Sequence, residues 1–227
     1  MILHIPALLD TELAHRLREQ LEDGTWIDGR ATAGGQALQV KRNRQLAADD
    51  PLSRTLGETL LAALSRHPRF LSAALPLKIM PPMFNRYESG ETYGLHVDNA
   101  IRQVPGSAET VRADLSATLF LSEPDDYDGG ELQIEDSFGA QTVKLAAGDL
   151  VLYPSTSLHR VTPVTGGARI AAVFWLQSMV RDNARRELLY DLDQSIQSLG
   201  GRLGGDDAEV VRLTGCYHNL IRQWADT

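Results

Sequence analysis

The sequence predicts a mainly β fold flanked by helices, on three observations. From about Leu77 to Gln177, short apolar runs (LKIMPPMFNRY, TYGLHVD, LSATLFL, GELQIE, QTVKL, DLVLYP, HRVTPV, RIAAVFWLQ) alternate with turn clusters such as ESGE, EPDDYDGG, DSFGA and AAGD. Short, evenly spaced strands of that kind build an antiparallel sandwich or barrel. Ahead of them, leucines recur at helical spacing, and from about Arg181 onward the texture is helical again. A chain of 227 residues, 43% of them hydrophobic, has enough material for one domain core and a small appendage.

Each element has a local reason. Residues 2–9 form a short apolar segment that reads as a strand. Asp10 follows as an N-cap, Leu13, Leu17 and Leu21 give a helix one buried face, and Gly24 ends it. Asp50 then Pro51 signal a second helix, an N-cap followed by proline at the first helical position, with Leu52, Leu56, Leu60 and Leu64 on its apolar face. Beyond the strands, ARRELLYDLDQSIQSL is helical in period and GGRLGGDD reads as a linker. AEVVRLTGCYHNLIRQWAD is helical with a break expected at Gly215. The expected organisation is a β domain with N-terminal helices over 1–180 and a helical extension over 181–227.

Charge and cysteine content narrow the function class. The 22 basic against 30 acidic residues give a formal charge of −8, without a basic arm, so a nucleic-acid partner is not expected. The single cysteine, Cys216, excludes an intrachain disulfide and fits a reducing compartment. The N-terminus lacks a basic n-region and no apolar run is long enough for a bilayer, so a cytoplasmic protein without a membrane partner is expected.

The chemistry begins at Gly94-Leu95-His96-Val97-Asp98-Asn99. In a strand, His96 and Asp98 point to one face and Leu95 and Val97 to the other, where the apolar pair is expected to pack. Alone, such a pair is ordinary: roughly nine in ten H-x-D matches are solvated strand residues. His159, 61 residues beyond Asp98, alters that reading, because two histidines and one carboxylate can form the facial triad that holds non-haem Fe(II) and leaves positions open. A satisfied polar residue at a strand start is the plainer reading of His159 alone. Arg169 opens the strand RIAAVFW, apolar on both faces, and a buried guanidinium there needs an anionic partner. Either an internal carboxylate or a dicarboxylate cosubstrate would serve. Trp175 shares its face.

The order HVD…H…R, with Arg169 ten residues after His159, resembles the Fe(II)/2-oxoglutarate-dependent dioxygenases of the prolyl-4-hydroxylase-like branch. NRYESGETYGLHVDN, LFLSEPDDYDGGEL and GDLVLYPSTSLHRVTPVTGGARIAAVFW carry the likeness, and the whole-chain layout resembles the bacterial PKHD-type hydroxylases. The resemblance implies a double-stranded β-helix (jelly-roll) core. It implies His96, Asp98 and His159 as ligands of one Fe(2+) per subunit, and Arg169 as the anchor of the distal carboxylate of 2-oxoglutarate, assisted by Tyr87. It further implies L-ascorbate as a helper and hydroxylation with release of succinate and carbon dioxide. Asp98 favours hydroxylation over halogenation, since related halogenases lack that carboxylate. Tyr93 and Asn99 flank the site. Substrate identity, small molecule or peptide, stays open. Two other readings are a cupin-like, non-catalytic metal-binding jelly roll, and an interaction scaffold whose C-terminal stripe (Leu188, Leu189, Leu192, Ile196) binds a partner or a second copy. That stripe can equally pack on the barrel or the first helices. His4, His15, His67 and His218 have no ligand-like neighbours and are assigned no function.

Overall fold

The computed structural model describes residues 1–32, 34–35, 37–136 and 139–226. Its helices are α1 (Thr11–Glu22), α2 (Ala37–Val40), α3 (Pro51–Leu64), α4 (Pro68–Ala74), α5 (Asn183–Leu203) and α6 (Ala208–Trp224). Its strands are β1 (Leu3–Ile5), β2 (Trp26–Asp28), β3 (Lys41–Arg42), β4 (Arg44–Leu46), β5 (Pro76–Ile79), β6 (Met83–Tyr87), β7 (Thr92–His96), β8 (Ile101–Gln103) and β9 (Thr110–Arg112). They continue as β10 (Leu115–Phe120), β11 (Tyr127–Gly129), β12 (Leu132–Asp136), β13 (Gly139–Val143), β14 (Leu150–Pro154), β15 (His159–Val161), β16 (Val164–Gly167) and β17 (Arg169–Ser178). Of the turn read at DSFGA, Ser137 and Phe138 lie outside the described residues.

Among the described residues the larger sheet runs β1-β14-β10-β17-β6-β4-β2, with β5 on the far end of β17, and the smaller runs β13-β12-β15-β7-β3. All the pairings are antiparallel. The two sheets face each other as the halves of a jelly roll. Alternation then sorts the larger sheet. Leu115, Ala117 and Leu119 with Ile170, Ala172, Phe174 and Leu176 meet Leu17, Leu21, Leu56, Leu60, Leu64 and Phe70 of the N-terminal helices in one apolar core. The opposite face, with Ser116, Thr118, Arg169 and Trp175, looks between the sheets. On the smaller sheet Glu135 and Arg160 are exposed and Gln133 is half-buried.

The N-caps are as the sequence predicts: Asp10 accepts from the Leu13 amide and Asp50 from the Leu52 amide. Other boundaries differ. The strand expected over 2–9 is confined to Leu3–Ile5. Helix α5 runs through Gly200 and Gly201, so the linker shrinks to Gly204–Asp207, and α6 is unbroken at Gly215. A single helical glycine costs only about 1 kcal/mol, and a helix packed along one side tolerates it. The C-terminal stripe is occupied within the chain only in part: Leu189 packs with Leu75 and Val180 while Leu188 is exposed, and beside it Ser72 donates to Asp193 at 2.6 Å and Arg69 donates to the Tyr190 hydroxyl at 2.8 Å. Among the described residues no helix is long and apolar enough to cross a membrane.

Candidate metal centre

Backbone pairing sets the site. In the β15–β7 ladder His159 lies opposite His96, so two imidazoles 63 residues apart in sequence share one spot. Asp98 joins them, and one ligand atom from each lies within 4.8 Å of the others. His159 Nε2 is 3.7 Å from Asp98 Oδ2, and the imidazole centroids are 4.2 Å apart. Each ring is oriented by the backbone two residues before it. His96 Nδ1 donates to Gly94 O at 2.8 Å, and His159 Nδ1 donates to Ser157 O at 3.1 Å. A carbonyl can only accept, so Nδ1 carries the proton and each Nε2 lone pair is left for an ion.

Asp98 is not on the strand. Strand β7 ends at His96, and the carboxylate stands in the loop that follows. Its hold comes from across the barrel: Ser116 Oγ donates to Asp98 Oδ2 at 2.6 Å and lies 2.8 Å from Ser155 Oγ. Since the carboxylate accepts only, Ser116 gives it its single proton and Ser155 must donate to Ser116. The expected packing of Leu95 and Val97 is also corrected. They are 40% and 47% exposed: Leu95 stands part-way to solvent on β7, and Val97, beyond the end of that strand, lines the cavity.

Aromatic rings fix the imidazoles further. Tyr93 stacks on His96 at 3.6 Å and 13°, and Tyr153 meets His159 edge-on at 5.2 Å. Gly94 lets β7 approach α2: a Cβ there would lie 2.9 Å from Val40 Cβ. Burial, reinforced by the nearby His159, pushes His96 down to about 4. The folded protein therefore keeps His96 neutral where the unfolded chain, titrating near 6.5, takes up a proton. Metal-free protein is expected to lose stability as pH falls through that window, from about 6.5 towards about 4. Melting temperatures of wild type and His96→Asn across this range check it; parallel slopes would remove His96 as the cause.

At the other end of the same cavity sits Arg169, 1% exposed. Its register partner is Tyr87, and its guanidinium lies 5.4 Å from the Tyr87 ring and 5.2 Å from the Phe120 ring. The internal salt bridge that would have explained this arginine is not there. Among the described residues it makes no ion pair, and its Nε and Nη2 are buried without a hydrogen-bond partner. Gly130, at φ +65°, makes room for it, since a Cβ would fall 3.1 Å from Arg169 Cδ and 3.0 Å from the Tyr127 ring. Burial pushes the Tyr87 phenol up to about 12, which keeps it a hydrogen-bond donor.

The cavity between the sheets has an empty volume of about 750 Å³ including its open mouth. Tyr93, Asn99 and Trp175 line it as expected. Ser116, Lys41 and Arg102 also line it, and sequence reasoning missed all three. The alternation in LSATLF, which sends Ser116 and Thr118 inward, was the available sign of the first. Of the unassigned histidines, His4 pairs with Asp149, His15 pairs with Glu123, and His67 caps α4 by accepting from the Phe70 amide.

Known proteins resemble this chain in sequence and in fold. Residues 82–177 match the 2OG-Fe(II) oxygenase superfamily, and residues 183–226 match the PKHD-type hydroxylase C-terminal domain. A PKHD-type hydroxylase of Burkholderia cenocepacia is 58% identical over 226 residues, covering 100% of both chains. Among solved structures, a Pseudomonas putida prolyl-4-hydroxylase matches with a TM-score of 0.52 and 20% identity, covering 78% of this chain and 92% of that one. A Trichoplax adhaerens prolyl hydroxylase, solved with a hypoxia inducible factor peptide fragment, matches with a TM-score of 0.55 and 17% identity, covering 82% and 86%. At those identities the structural likeness is one of fold; the full-length identity to the curated relative is the stronger statement. The chain belongs to the PKHD-type hydroxylases, iron- and 2-oxoglutarate-dependent dioxygenases that hydroxylate a substrate and release succinate and carbon dioxide.

Proposed function

We propose that His96, Asp98 and His159 hold one Fe(2+) per subunit, and that Arg169 and Tyr87 hold the distal carboxylate of 2-oxoglutarate. The donor set fits that ion: two neutral imidazoles with free Nε2 atoms and one carboxylate leave coordination positions open. The observation that carries the reading is Arg169, a buried cation with two unpartnered donors in the cavity that holds the triad. Buried donors of this kind are costly unless a ligand satisfies them. A non-catalytic metal-binding jelly roll has no use for such an arginine.

When bound, the iron supplies dioxygen activation and the oxidative decarboxylation of 2-oxoglutarate. The chain's own residues do the rest. Arg169 fixes one end of the cosubstrate by a charge-assisted fork, and the protonated Tyr87 adds a donor. Asp98, locked by Ser116, sets the carboxylate corner of the triad. The apolar lining of Val161 and Val173 limits water. Oxygen uptake that requires both Fe(II) and 2-oxoglutarate, with product heavier by one oxygen in treated cell extract, tests the reading. Metal binding without 2-oxoglutarate turnover would overturn it in favour of a binding module.

Ser116→Ala is expected to weaken Fe(II) binding about 10- to 100-fold, because partners of metal ligands have effects of that size. Metal titration followed by chelator competition measures it, and an unchanged affinity would leave Ser116 as a packing residue. The same reading includes L-ascorbate as a helper, a small-molecule or peptide substrate, and a cytoplasmic location. It divides the chain into a catalytic unit over 1–180 and a helical extension over 181–227. We further propose that the extension mediates self-association; exposed Leu188, Leu203 and Val211 on α5 and α6 support this, and light scattering tests it.

A further inference from the structure

We propose that the substrate carries a carboxylate, held at the cavity mouth by Arg102 with the Trp175 indole beside it. The inference rests on the functional reading above and deepens it. Arg102 lies on β8, and its guanidinium carbon stacks 3.4 Å from the Trp175 ring centroid. Among the described residues it makes no ion pair, and its Nε is buried without a hydrogen-bond partner. Trp175 is 8% exposed, and its Nε1–H is likewise buried and unpartnered. Two orphan donors therefore sit side by side on the cavity wall. Desolvation disfavours the charge on Arg102, as it does on any cation withdrawn from water.

The cosubstrate does not account for this pair. Arg169 and Trp175 lie on the same face of β17, six residues apart, which is about 20 Å along a strand. Trp175 is the register partner of Ser116, the residue that holds Asp98, so Arg102 stands at the Asp98 end of the cavity. A five-carbon diacid held between Arg169 and the triad has both of its carboxylates engaged there, so neither is left for Arg102. The charges point the same way. Three cations, Lys41, Arg102 and Arg169, line the cavity, whereas Asp98 is the one acid among its described lining residues. With Fe(2+) and the 2-oxoglutarate dianion in place, Asp98 and the dianion together balance the iron and Arg169. Arg102 remains without a counter-charge, within a chain whose net charge is −8. An anionic group on the substrate would balance that charge and satisfy both orphan donors.

The test is anaerobic calorimetry on Fe(II)-loaded full-length protein at saturating 2-oxoglutarate, titrated with N-acetylglycine and with its neutral isostere N-acetylglycinamide. The acid is expected to bind about ten-fold or more tightly than the amide. Arg102→Gln should abolish that preference, while Arg102→Lys should keep part of it because the charge survives without the fork. Equal binding of acid and amide, or a preference that survives in Arg102→Gln, overturns the proposal. A preliminary titration of the wild type with 2-oxoglutarate isolates the other failure: no binding there would defeat the functional reading, whatever Arg102 does.

Discussion

His159→Ala, and equally His96→Ala, is expected to lower iron-dependent conversion of 2-oxoglutarate to succinate by well over ~100-fold, since even the partners that orient ligands are worth 10–100-fold. Among the described residues His96, Asp98 and His159 are the group that can hold an ion. The remaining pair would hold an ion without fixing which positions stay open. His159 is 5% exposed and its ring meets Tyr153 edge-on, so a melting curve must accompany the assay. Normal succinate production by a folded His159→Ala protein would sink the ligand assignment.

Arg169→Met is expected to raise the 2-oxoglutarate requirement ~30-fold or more, because removing one partner of a buried charge pair costs about 2–5 kcal/mol. Its effect on the cosubstrate-free protein should be the reverse of what a structural arginine shows. Breaking an internal buried salt bridge typically costs about 3–5 kcal/mol of stability. Among the described residues no carboxylate is left stranded, and methionine fills a similar volume while removing two unsatisfied donors. The cosubstrate-free variant should therefore melt no lower than wild type. A large drop in melting temperature with unchanged 2-oxoglutarate affinity would make Arg169 a structural residue.

The features legible in sequence are those with local chemical causes. Asp10 and Asp50 announce their helices because a side-chain oxygen three or two residues before an amide is a complete interaction in itself. The H-x-D, the distant histidine and the arginine could be joined because their roles limit their residue types. What escaped notice depended on neighbours. Alternation says that Leu95 and Val97 share a face, but β7 ends at His96 and Val97 turns to the cavity, which the pattern by itself does not show. Ser116 looks like any small strand residue until β10 is set across from Asp98. Arg102 and Trp175 are 73 positions apart in sequence, and nothing local links them before β8 and β17 meet. The Gly200–Gly201 and Gly215 positions misled in the other direction, because packing against α4 and between α5 and α6 outweighs a weak intrinsic preference.

The pairing of His96 with His159 has a thermodynamic consequence. Their spacing is set by ladder hydrogen bonds, so the conformational entropy of bringing them together is lost when the sheet folds and not when an ion arrives. Sites assembled by the metal itself unfold under chelation. This one should survive it: stripping the ion ought to leave the circular dichroism spectrum intact, and adding it back should restore the centre at the speed of binding, with no refolding step.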